Sequence, residues 1–171
     1  FMVALGTGGD GPLISIAMAE KWNGRLAVLL ERSMLFPALE VMFGGGKTDK
    51  AFNATRPGYT RIERTFAQQL SRIILDELAA SFDQIDTVSF DIERMEMNAQ
   101  LASLAQAISP TVLATLKVEI GATVGRFHLI VPHATLDPVR KNLLQVFFGE
   151  HFGADETWRG HLRNRVQATQ V

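Results

Sequence analysis

Two stretches of this chain lie over one another without a gap. "GRLAVLLERSMLFP" (Gly24 to Pro37) aligns with "GRFHLIVPHATLDP" (Gly125 to Pro138). Gly24 and Arg25 match Gly125 and Arg126, Leu35 matches Leu136, and Pro37 matches Pro138. Further on, "LEVMFGG" (Leu39 to Gly45) lies over "LQVFFGE" (Leu144 to Glu150), with an offset four residues larger. Four residues are about one helical turn, so the second helix is expected to be a turn longer with the same face buried. A duplicated unit implies pseudo-two-fold symmetry.

The unit reads as a hairpin that runs into a helix. "LISIAMAE" and "RLAVLLE" are strands joined at Asn23-Gly24, a pair that tolerates the positive φ of a tight turn. In the second half "TLKVEI" alternates Leu116, Val118 and Ile120, and "GATVG" turns the chain. "RFHLIVP" returns with Phe127, Leu129 and Val131 on one face and His128 on the other. Each hairpin enters its helix through Ser33 or Thr135, with Pro37 or Pro138 in the first turn.

Between the halves, "YTRIERTFAQQLSRIILDELAASF" is a long helix. Thr60 and Glu63 have capping-box spacing. Ile62, Phe66, Leu70, Ile73, Ile74 and Leu78 make one apolar stripe, and Arg61, Arg64, Gln68, Arg72 and Glu77 a polar outer face. That stripe is expected to be fully used by the sheet. "TVSFDIERMEM" follows as a strand. Its alternation through Val88, Phe90 and Ile92 changes phase at Met95 and Met97, which points to a bulge. The fold class is therefore α/β: a mostly antiparallel sheet with helices and an internal repeat.

With 171 residues, 47% of them hydrophobic, the chain can bury one real core. It begins at Phe1 rather than Met and is expected to be an excised fragment. A net charge of -1 gives no basic face for nucleic acid. Zero cysteines exclude a disulfide scaffold and a cysteine metal site, and fit a reducing compartment. No apolar run is long enough to cross a bilayer.

"VMFGGGKTDK" (Val41 to Lys50) brings Gly46-Lys47-Thr48 together like the end of a phosphate-binding loop. The spacing fails, because the first glycine of that pattern falls on Val41. The context fails too, because "SMLFPALEVMF" before it reads as a helix rather than a strand. His128, His133, His151 and His161 have no metal-site spacing. Asp83, Asp86, Asp91 and Glu93 lack the calcium-loop glycine and terminal glutamate, and read as a solvated strand edge. Ser33 and Ser89 have no nucleophile-elbow context. Gly8-Gly9-Asp10-Gly11 reads as a turn between "FMVAL" and "PLISIAMAE". The Met95/Met97 pair reads as core. No catalytic constellation, metal site or cofactor site is expected.

Four segments carry a family resemblance. "MFGGGKTD", a loop, then "YTRIERTFAQQLSRIILDELAASF" resembles the middle domain of the FliM family of flagellar motor switch proteins. "VEIGATVGRFHLIVPHATLDPVRKNL" is similar to that family's most specific block. "ETWRGHLRNRVQATQV" resembles the segment leading into its C-terminal SpoA domain. The resemblance implies a middle domain over residues 1–155, with 156–171 leading towards an absent C-terminal domain. It implies a three-layer α/β/α sandwich with pseudo-two-fold symmetry, shared with CheC-type phosphatases.

The implied role is structural, in the cytoplasmic ring of the rotor. The middle domain would hold FliG, through the glycine loop Gly44, Gly45, Gly46 and Lys47, and pack sideways on copies of itself. Phosphorylated CheY and FliN would be partners of the flanks. The family motif is Gly-Gly-x-Gly, which this loop spells imperfectly. Gly8 to Gly11 spells it better, but in the wrong context. Arg61 and Arg64 on one copy facing Asp83 and Asp86 on the next are the candidate lateral contact, and the isolated chain is expected to associate weakly at most. The alternative is a CheC-like phosphatase acting on a phosphorylated response regulator. That family uses an adjacent Glu-Asn pair on a helix, where this chain has Glu40-Val41, Glu63-Arg64 and Glu77-Leu78.

Overall fold

The computed structural model describes residues 11–44, 58–98 and 110–146. Strands β1 (Leu13–Ala19) and β2 (Gly24–Leu30) lead to helices α1 (Arg32–Met42) and α2 (Arg61–Phe82). Then come β3 (Phe90–Glu96), β4 (Thr111–Ile120), β5 (Thr123–Pro132) and the short helix α3 (His133–Leu136). A 3-10 turn, Asp137–Val139, leads into further helix over residues 140–146. The five strands form one sheet in the order β3-β1-β2-β5-β4, and every neighbouring pair is antiparallel. The fold is mixed α/β, as the sequence indicates.

The sheet separates two buried clusters. Leu13, Ala17, Leu26, Val28, Leu30 and Phe127 pack with Leu35 of α1, Ala67 and Leu75 of α2, and Val139 beyond α3. Ile14, Ile16, Ala27, Leu29 and Ile130 form a smaller cluster on the alternate, opposite face of the same strands. The expected third layer falls outside the described residues.

The two hairpins close differently. Ala19 pairs with Gly24 around a turn in which Asn23 has a φ of 49°. Ile120 pairs with Thr123 around Gly121-Ala122, with Gly121 at φ 61°. The second turn is therefore shorter than "GATVG", and Gly125 lies inside β5. Its missing side chain serves packing instead. A Cβ on Gly125 would stand 2.6 Å from the Cα of Met34, and one on Gly24 would stand 2.7 Å from the Cα of Thr135. Each helix thus rests on the glycine of the other repeat.

Three readings of helix entry need correction. The residue before α1 is Glu31 rather than Ser33, and the Ser33 hydroxyl donates to the Glu31 carboxylate at 2.9 Å. The Thr135 hydroxyl donates to the Arg25 carbonyl at 2.7 Å. Pro37 sits inside α1 rather than in its first turn. Pro138 does fall at the start of the 3-10 turn. That turn also changes which face of the second helix is buried. At 3.0 residues per turn it rotates the chain out of α phase, so Leu143 packs on the core while Leu144 is exposed.

Helix α2 begins with the expected capping box. The Glu63 N–H donates to Thr60 Oγ1 at 3.3 Å, and the Thr60 N–H donates to Glu63 Oε2 at 2.6 Å. Its buried face runs through Glu63, Ala67, Ser71 and Leu75, flanked by Phe66, Leu70, Ile74 and Leu78. Ile62 and Ile73, read from the sequence as inward, are 63% and 58% exposed. The sheet therefore does not use the whole stripe. Beyond α2, the β1–β3 register shifts so that Ile92 faces Ala17 and Arg94 faces Ile16, leaving Glu93 as the extra residue. The expected bulge lies where Met95 returns to the core.

Candidate functional site

Helix α1 ends abruptly on an apolar surface. The Phe43 N–H closes on Leu39 O and the Gly44 N–H on Val41 O, with Gly44 at φ 74°. A left-handed glycine is a common way to stop a helix, because a Cβ there is strained. Val41, Met42 and Phe43 in this last turn are each at least 60% exposed. A helix precedes the glycines, so the strand that a phosphate loop requires is absent here. Gly45, Gly46 and Lys47 lie outside the described residues, as do Gly8, Gly9 and Asp10.

Beside this turn a groove opens between α1 and α2. Leu39, Met42 and Phe43 form one wall, and Ile62 and Phe66 the other, with Arg61, Thr65 and Gln69 at its lips. The start of α2 is pinned against α1 nearby. Arg32 donates to the Gly58 carbonyl at 3.0 Å and stacks 4.5 Å over the Tyr59 ring, which itself stacks on Phe36. The Tyr59 hydroxyl donates to the Gly11 carbonyl at 2.6 Å. The groove walls are therefore held by packed aromatic rings rather than by loop contacts alone.

The acidic residues are dispersed into separate pairs. Asp86 accepts from Lys21 and, at 2.9 Å, from Trp22 Nε1. Hydrogen bonds from Lys21 and Trp22 hold its carboxyl below the ordinary carboxylate range. Trp22 also meets Phe82 and Phe90 edge-on, so the first turn is tied to the α2–β3 connection. Glu93 takes the Arg25 guanidinium through two contacts of 2.7 and 3.1 Å, which lower its pKa. Asp83 follows the end of α2 and is exposed. Arg61 and Arg64 are exposed at the other end of that 22-residue helix, about 33 Å away. The two halves of the expected lateral contact thus stand at opposite ends of one element.

His128 is on the face predicted for it, and it has company that sequence reasoning missed. Its Nε2 lies 2.9 Å from Glu31 Oε1, and its Nδ1 lies 2.9 Å from Thr115 Oγ1. Burial raises the Glu31 pKa, but the hydrogen bonds from His128 and Ser33, with the charges of His128 and Arg126, bring it below its ordinary value. The arrangement joins the first half of the chain to the second. In the first hairpin the corresponding cross-strand pair is Ile16 with Ala27, so the polar network has no counterpart there. Among the described residues no group of three or more His, Cys, Asp or Glu is placed to hold a metal ion. No described helix is long and apolar enough to cross a membrane.

Fold and site together define a mixed α/β domain built from two similar halves, with an exposed apolar turn at the end of α1. A family model described as "Flagellar motor switch protein FliM" matches residues 12–148, and the chain belongs to the FliM family. The flagellar motor switch protein FliM of Caulobacter vibrioides is 31% identical over 159 residues, covering 93% of this chain and 42% of that protein. The chain thus spans less than half the length of that relative. In fold it is similar to the FliM middle domain of Vibrio alginolyticus (TM-score 0.68, 19% identity, 82% of this chain and 75% of that one). It is also similar to a chain of a FliG–FliM complex from H. pylori (TM-score 0.60, 15% identity, 78% of this chain and 72% of that one).

Proposed function

We propose that this domain is a protein-docking tile of the flagellar rotor switch rather than an enzyme. It holds a FliG-type partner through the loop that begins at Gly44 and continues through Gly45, Gly46 and Lys47. It packs sideways on further copies through Arg61 and Arg64 on one side and Asp83 and Asp86 on the other. The observation that carries this reading is the end of α1. Three large apolar side chains, Val41, Met42 and Phe43, stand exposed directly before a left-handed glycine with open space around it. Exposed apolar clusters of this kind mark interaction surfaces. Glycines after them let a partner backbone approach closely.

The FliM of H. pylori forms a complex with FliG, which supports FliG as the partner class. The work of such a tile is to pass a chemotaxis signal to the motor at the cytoplasmic side of the basal body. Phosphorylated CheY and FliN would engage parts of the longer protein. Calorimetry of the chain with a FliG middle domain tests the reading. The parent should bind, and Gly45→Glu should weaken binding without changing the melting temperature. Equal binding by a Gly45→Glu variant that melts like the parent overturns the loop assignment.

A further inference from the structure

We propose that the outer edge of β4 is a strand-docking site, and that it takes this chain's own C-terminal residues 164–171 as an antiparallel sixth strand. Strands β2 and β5 are counterparts in the internal repeat and pair with each other, so the approximate two-fold axis of the sheet lies between them. Leu13 pairs with Leu30, and Val112 pairs with Val131, the counterpart of Leu30. That makes β4 the counterpart of β1. On the far side of β1 lies β3. Among the described residues no strand lies on the far side of β4.

The two edges of the sheet are built differently. Strand β3 carries a bulge and four charged residues, Asp91, Glu93, Arg94 and Glu96, which discourage further pairing. Strand β4 keeps one register with β5 from Thr111 to Ile120 and contains no proline. Val112, Leu113 and Leu116 on it are exposed. A long, regular, apolar edge is a template for another strand, and folded proteins cover or interrupt such edges.

The sequence supplies an occupant. "VSFDIERM" (Val88 to Met95) lies over "NRVQATQV" (Asn164 to Val171), which is outside the described residues. Phe90, Ile92 and Met95, the β3 residues that face the core, fall on Val166, Ala168 and Val171. The three-residue step that the β3 bulge requires is therefore present in both. Residues 147–163 link the last described position to this segment. At about 3.3 Å per residue they reach further than the length of β4. The β1–β3 register then places Val166 opposite Val118, Ala168 opposite Leu116 and Val171 opposite Ala114. Main-chain hydrogen bonds would hold the segment, and alternate side chains would fix its register. With both edges closed, copies of the domain meet through side chains rather than by joining sheets.

Hydrogen exchange of the full chain reads the edge directly. In an unpaired edge strand alternate N–H groups point to solvent and exchange fast, whereas a sixth strand protects successive amides from Leu113 to Val118. The chain has no native cysteine, so register can be read by crosslinking. Leu116→Cys with Ala168→Cys should form a disulfide within one chain on mild oxidation, since directly opposed strand residues lie within disulfide reach. Leu116→Cys with Gln167→Cys, whose side chains point to opposite faces, should not. Fast exchange at alternate β4 amides overturns the proposal. So does a Leu116→Cys/Ala168→Cys pair that links no more readily than the control. A disulfide found only between chains also overturns it, and assigns the edge to a second copy.

Discussion

Val28 and Leu129 face each other across the β2–β5 ladder, and they are also counterparts in the internal repeat. The offset that lays Gly24 on Gly125 lays Val28 on Leu129. A pseudo-two-fold axis therefore passes between them, normal to the sheet, and relates α1 to the helix that follows β5. The symmetry is visible in packing, since Gly24 meets Thr135 and Gly125 meets Met34, which are themselves counterparts. It breaks where the chemistry requires. The Glu31 N–H donates to the Arg126 carbonyl at 3.2 Å. Its counterpart Pro132 has no N–H, and the Thr135 hydroxyl serves the Arg25 carbonyl instead.

The glycine contacts predict a graded series. Gly125→Ala and Gly24→Ala push a methyl group into helix backbone that cannot yield, and each should cost about 1–3 kcal/mol or more. Gly44→Ala meets nothing within 4 Å and carries only the strain of its positive φ, about 1 kcal/mol. Urea denaturation of the three variants checks the order. A Gly44→Ala variant less stable than Gly125→Ala would contradict it.

Ser15 on β1 and Ser71 on α2 are both fully buried, with their hydroxyls 2.8 Å apart. Each single change to alanine strands the other hydroxyl and should cost about 1–3 kcal/mol. Changing both removes the orphan, so the double variant should lose clearly less than the sum of the two. Additive losses in a double-mutant cycle would show that the bond does not couple the pair.

This pair also shows where sequence reading stops. The long helix, its capping box, the bulge near Met95 and the placing of His128 on the strand face opposite Phe127 and Leu129 are legible, because each depends on local spacing. The buried face of α2 is not. Hydropathy favoured Ile62 and Ile73, whereas the sheet is approached by Ala67 and Ser71, small residues that let the helix lie close. Glu31, His128 and Thr115 depend on strand register across 97 positions of sequence, which periodicity does not encode. The groove is hidden from the sequence for the same reason as the helix face, since hydropathy places Ile62 in the core.

The Glu31 network predicts an acid-side dependence of stability. The folded-state pKa of Glu31 lies below its ordinary value of 4.5. Its contribution is therefore present above that value and is lost as pH falls through the lowered folded-state pKa. Glu31→Gln should lose stability at neutral pH and show a flatter decline on acidification. His128→Ala should cost about 1–3 kcal/mol at neutral pH, because Glu31 and Thr115 lose a buried partner. Chemical denaturation from pH 7 to pH 3 checks the sign. A Glu31→Gln variant with an acid limb as steep as that of the parent would place the dependence elsewhere.

Lateral association should be weak, charge-driven and head-to-tail. Arg61 and Arg64 stand at one end of α2 and Asp83 at the other, so the two sets cannot meet within one chain but can meet between copies. Repeating that contact builds a row rather than a closed pair, which is the heterologous geometry a ring needs. Asp86 already accepts from Lys21 and Trp22, so Asp83 is the freer acidic partner of the two. Each exposed pair is worth about 0.2–1 kcal/mol, which changes an association constant by roughly fivefold at most and fades as salt rises. Such a contact becomes useful only when a scaffold holds many copies close together. Sedimentation at rising concentration should therefore find monomer with slight, salt-sensitive self-association. Arg61→Glu and Asp83→Arg should each abolish that association, and an equimolar mixture of the two variants should restore it through the reversed pair. A tight dimer at nanomolar protein, or no rescue in the mixture, would assign the contact to another face, with the exposed Ile73 the first residue to mutate.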